Sequence, residues 1–236
     1  MIPPNEVHPL FPFLLAAGLL LTFFLFLFSG RLAYNKTNSE PYSIRRDFPF
    51  ELFPRENPLA SNILKGMYLV HAILSLGLVY LFASAFFTSP GWLTSLSLIS
   101  AVILLTRIVA GFALLLFPAY YHKTHIKLVS LAFTFFGIET CTFFLFASKV
   151  MRPIGTGVSG LFALIASILV IVFDFSMLNP KYANWTSYES KEENGEKVVS
   201  RPKNFPLAAA EWRFYILSMV VDICLYLSIG FYILGY

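Results

Sequence analysis

The sequence predicts an all-α fold: a polytopic membrane protein, a bundle of six transmembrane helices with short external loops and two longer cytoplasmic loops. Composition predicts it first, since 57% of the 236 residues are apolar and only 13% charged, against about 25% charged in soluble domains. Mean hydropathy is +0.71. Six apolar stretches also reach the ~20 residues that cross a hydrocarbon core about 30 Å thick. They lie near 9–29, 64–88, 92–118, 127–148, 153–178 and 208–235, and make residues 1–236 a single transmembrane domain. No separate catalytic domain is expected.

The first stretch has no Lys or Arg before it and is too long for the apolar core of a signal peptide, so it is expected to stay in the mature chain. It carries no ionisable group, which suits a helix exposed to lipid on much of its circumference. The remaining five take their direction from the basic residues. Arg31, Lys36, Arg45, Arg46, Arg55 and Lys65 lie between the first two spans. Lys123 and Lys127 lie between the third and fourth, and Lys181, Lys191, Lys197, Arg201, Lys203 and Arg213 between the fifth and sixth. Only Lys149 and Arg152 fall on the opposite side. Loops 30–63 and 179–207 are therefore expected in the cytoplasm and both termini outside it, in a plasma or inner membrane. Asn35-Lys36-Thr37 and Asn184-Trp185-Thr186 fit the glycosylation acceptor pattern but fall in those cytoplasmic loops, where they are not expected to carry sugar.

The two long loops differ in character. Segment 179–207 is a mixed-charge polar run without apolar period and reads as a solvated connection. Segment 31–61 interleaves aromatics with charges over Asp47-Phe48-Pro49-Phe50-Glu51-Leu52-Phe53-Pro54-Arg55, which suits chain lying in the headgroup layer with rings inward and charges in water. Its prolines oppose a regular helix. Cys141 and Cys224 fall inside spans and read as ordinary buried residues.

Three ionisable residues sit near the middle of separate spans: Arg107, Glu139 and Asp222. A charge at the bilayer centre costs roughly 2.5 to 3.5 kcal/mol on insertion scales, so such residues turn inward and pair. Counted from the cytoplasmic ends, their depths agree within about 5 Å. The short connection between the third and fourth spans makes Arg107 and Glu139 the expected pair. Polar company supports them: Ser218, Tyr226 and Tyr215 share a helical face with Asp222, Ser100 lies on the face of Arg107, and Thr142 follows Glu139. With one cation and two acids, one carboxylate is left over.

A second polar zone nearer the cytoplasm contains His71, Tyr68, Ser75 and Asp174. With His122 and His125 it offers imidazoles that could hold a metal or haem, although no pair has the spacing of a known site on one helix. No cofactor is predicted. Gly157-Val158-Ser159-Gly160 resembles the Gly-x-Ser-Gly pattern of rhomboid intramembrane proteases, which also have a six-helix core. The last span offers no histidine to act as base toward the serine, and Gly and Ser there equally serve capping and close packing. No catalytic residue is assigned.

The favoured functional reading is a non-catalytic subunit of a larger membrane complex, with the Arg/Glu/Asp network as buried structural pairs. The alternative is a small proton-coupled transporter or channel component that handles a small charged solute through the same residues. Expected partners are membrane lipids and other membrane subunits or copies of the chain. The net charge of +4 is explained by topology and anionic headgroups, without nucleic acid.

Overall fold

The structure is a computed structural model that describes residues 8–54, 56–86, 92–117, 122–147, 157–178, 189–193, 196–200 and 206–236. Within these, the side chains of 83–86, 92–97, 122–123, 140–147 and of residues 189–200 are outside the described set. Among the described residues there are six long helices: α1 (Phe11–Thr37), α2 (Pro58–Phe86), α3 (Trp92–Leu116), α4 (His122–Ala147), α5 (Gly157–Met177) and α6 (Pro206–Ile233). Among the described residues, α1, α2, α3, α5 and α6 each hold a segment long and apolar enough to cross a membrane. The chain is a helical membrane bundle.

Helix ends depart from the apolar runs for local reasons. The first helix continues eight residues past the expected span because Arg31-Leu32-Ala33-Tyr34-Asn35-Lys36 contains no breaker, and it stops where Asn38 turns extended. The second begins six residues early, where Asn57 Oδ1 accepts the Ala60 N–H at 3.1 Å and Pro58 takes a first-turn position that needs no donor. Pro206 opens α6 in the same way.

Consecutive helices pack on one another, and α6 closes the ring against α1 and α5 while also touching α2 and α4. Its burial follows from that position: Trp212, Phe214, Tyr215, Asp222 and Tyr226 are all buried. By contrast, α1 turns Leu14, Leu21, Phe24 and Phe28 outward, as its apolar circumference suggested. Ser159 and Ser228 join α5 to α6 reciprocally, each hydroxyl donating to the other's carbonyl at 2.8 and 2.9 Å. The Gly-x-Ser-Gly serine is thus engaged in helix packing.

Both long connections contain structure beyond the loops expected there. Glu189–Glu193 (β1) and Glu196–Ser200 (β2) pair antiparallel, with Glu193 opposite Glu196. Asn194-Gly195, which separates the two strands in sequence, is a dipeptide that hairpins favour. The polar connection expected there is a hairpin over these residues.

In the loop between α1 and α2 the rings turn inward and Glu40 and Arg45 stay exposed, but Asp47 is buried rather than in water. Pro49–Leu52 forms one 3-10 turn, and Tyr42, Asp47, Phe48, Leu52 and Phe53 are buried against the bundle end. Gly30 makes room for it, since a Cβ there would lie 2.9 Å from Leu52 Cβ. Asp47 tolerates full burial because Ser43 N–H and Arg46 Nε–H donate to it at 2.7 and 3.0 Å.

Candidate functional site

The midplane cluster forms where α3, α4 and α6 meet. Arg107 Nη2 donates to Asp222 Oδ1 at 2.5 Å, and Arg107 Nε lies 2.8 Å from Glu139 Oε2. The two contacts differ in kind. The first is an aligned hydrogen bond, whereas the second is an ion pair whose N–H is not directed at the carboxylate. Arg107 therefore takes both acids rather than one, and α6 completes a triangle that spacing alone left open. All three side chains are at most 7% exposed.

Other residues complete the shell. The Phe136 ring lies 5.8 Å beneath the guanidinium, a cation–π contact in a desolvated place. Ser75, expected nearer the cytoplasm, instead approaches the Asp222 carboxylate from α2. The equal spacing of Tyr68 to Ser75 and of Tyr215 to Asp222 explains this, because α2 and α6 run parallel with those residues at matched depths.

The stripe on α6 is buried throughout but serves several neighbours. Tyr215 donates to Gly111 O on α3 at 2.7 Å, Ser218 turns back to Tyr215 O at 3.2 Å, and Tyr226 donates to Leu74 O on α2. Ser100 is buried on α3. The Thr142 and His122 side chains lie outside the described residues.

The second polar zone does not assemble as one group. His71 sits between α1 and α2, with Nδ1 3.2 Å from Thr22 Oγ1 and its ring against Phe23 and Tyr68. Asp174 is on the other side of the bundle, at the α4–α5 contact. There Gly137 leaves it space, and a Cβ would meet its Oδ1 at 2.6 Å. His125 is elsewhere again. Among the described residues no three His, Cys, Asp or Glu side chains converge as a metal site.

His125 instead reveals a site that the sequence reading passed over. Its Nε2 lies 2.5 Å from Glu211 Oε1 and its Nδ1 2.7 Å from Phe117 O, with both side chains 1% exposed. The rings of Phe48 and Phe50 stand edge-on to the imidazole at 5.8 and 5.9 Å. One residue further along α6, Trp212 Nε1 donates to Tyr42 Oη and Asp47 O, both at 2.9 Å. Burial, with the charges of Glu51 and Asp47, holds Tyr42 well above its ordinary pKa, so it remains a neutral hydroxyl. It donates to Phe48 O at 2.8 Å. Glu211 lies in the sixth expected span, as its fourth residue; that is the available signal.

Comparison with family models, curated proteins and solved structures finds no match to this chain.

Proposed function

We propose that this multi-pass helical membrane protein is a non-catalytic subunit of a larger membrane complex, with the buried Arg107, Glu139 and Asp222 acting as a clamp that orients α3, α4 and α6. The observation carrying this reading is that one guanidinium touches both carboxylates in a shell already filled by Ser75 and Phe136. Such a network specifies one helix arrangement and does not require a substrate. The outward apolar face of α1 is available to lipid or to a neighbouring subunit. In this proposal the basic end faces the cytoplasm of a plasma or inner membrane, and both termini lie outside.

The test is gentle solubilisation from the native membrane followed by native mass measurement. A stoichiometric membrane partner is the expected result. A chain that travels alone overturns the proposal.

A second reading draws on a different observation, the excess of one acid in the cluster. Two carboxylates and one guanidinium are neutral only with one added proton or cation, which is what proton-coupled transport requires. Asp222→Asn then abolishes flux in reconstituted vesicles, whereas the subunit reading expects it to alter only stability or assembly.

A further inference from the structure

We propose that the single proton shared by His125 and Glu211 is a latch that holds the 41–54 segment seated against the basic end of the bundle. The proton count follows from the partners. Phe117 O can only accept, so His125 Nδ1 carries a hydrogen. Between Nε2 and Oε1 there is then room for one more proton, on nitrogen as an ion pair or on oxygen as a neutral pair. The pair has no net charge in either form. Loss of that proton leaves a bare carboxylate in a buried place.

The surrounding charges give the loss a direction. From the segment, Glu51 faces Glu211 as a like charge, while Asp47 and Glu40 already engage Arg46. From α6 itself, Tyr215 is the ionisable neighbour and Arg213 points outward. Just past the end of α3 the Phe117 carbonyl reaches the imidazole, and Lys127 on α4 is exposed two residues beyond His125. On α1, Tyr34 packs on Tyr42, and on α2 Lys65 lies over the Phe53 ring. No cation among the described residues is placed to replace the missing proton at Glu211.

Solvent is close enough to exchange it. The outer side of the segment borders an open cleft of about 350 Å³ whose wall includes Phe50, one ring away from His125. Beneath the segment, α6 continues the same buried face through Tyr215 and Ser218 to Asp222. The latch is independent of whether that cluster is a structural clamp or a proton carrier.

Hydrogen exchange of the full chain in lipid nanodiscs, corrected for the intrinsic pH dependence of exchange, tests the proposal on the peptide covering 41–54. In the wild type the peptide is protected at neutral pH, and its exchange rises roughly ten-fold at alkaline pH through local opening. Glu211→Gln retains a hydrogen bond, since its amide can donate to a neutral His125 Nε2, but has no proton to lose. Its peptide is expected to be protected at both pH values. His125→Ala is expected to exchange fast at both, while protection over α6 reports whether the variant has folded. Wild-type protection that does not change with pH, or a Glu211→Gln variant as pH-sensitive as the wild type, overturns the latch.

Discussion

The midplane cluster and the His125–Glu211 site both bury an acid against a base, yet they are built differently. Arg107, Glu139 and Asp222 project from three helix interiors and carry one acid in excess. His125 and Glu211 lie near helix starts beneath a loop, and one shared proton makes them neutral. In the first, a cation organises helices that the bilayer already holds upright. In the second, helices organise a loop that the bilayer does not hold. Damage to the first is therefore expected to be global, and damage to the second local.

The sharpest way to break the comparison is Arg107→Gln. It leaves two carboxylates in a desolvated shell, and removing one partner of a buried pair costs about 3 to 5 kcal/mol. A large fall in melting temperature of the purified protein is expected. The apolar triple variant Arg107→Met, Glu139→Met, Asp222→Leu should recover most of that loss, because well-packed apolar replacement of a whole buried network is often close to neutral. A triple variant no more stable than Arg107→Gln removes the clamp explanation.

The two acids themselves are expected to differ. Asp222 has the aligned bond from Arg107, whereas the contact of Glu139 with Arg107 is not an aligned hydrogen bond. Asp222→Asn should cost more than Glu139→Gln by about 1 kcal/mol, the net worth of one hydrogen bond. Equal melting temperatures would mean that charge alone, rather than directed bonding, sets the geometry.

The same contrast explains what was legible in the sequence. Arg107, Glu139 and Asp222 stood out because an ionisable residue inside an apolar run has no solvent to turn to, and counting along a straight helix gives its depth. Spacing along α2 groups Ser75 with His71, whereas the parallel course of α2 and α6 sets it beside Asp222. Glu211 was missed because a carboxylate near a span's end reads as interfacial. Segment 31–61 is legible only through its composition, and composition cannot distinguish aromatics inserted into lipid from aromatics inserted into protein. Only the meeting of Trp212 with Tyr42 and Asp47 O, 165 or more residues apart, decides that. The hairpin did have a local signal in Asn194-Gly195, overlooked because its strands are charged rather than apolar.

Trp212→Phe sharpens the local side of the comparison. The ring volume is partly kept, but the indole N–H that reaches both Tyr42 Oη and Asp47 O is lost. A cost of about 1 kcal/mol is expected, confined to the loop. Exchange should rise over 41–54 and remain unchanged over α3 and α4, and an equal rise over α3 would show that the loop and the midplane cluster open together.

The smallest effect is expected where one guanidinium serves two acids of unequal burial. Arg46 contacts both Glu40 and Asp47, and its pKa is raised chiefly by the hydrogen bond to Asp47. Asp47 has no exposed side-chain surface, while 70% of the Glu40 side chain is open to solvent. Water can replace Arg46 at Glu40 but not at Asp47. Glu40→Gln should therefore shift stability by less than about 0.5 kcal/mol, as for other exposed pairs, and the shift should shrink further in high salt. A loss comparable to that of Trp212→Phe would mean that Glu40 holds Arg46 in place for Asp47, and that the anchoring of the loop extends to its exposed edge.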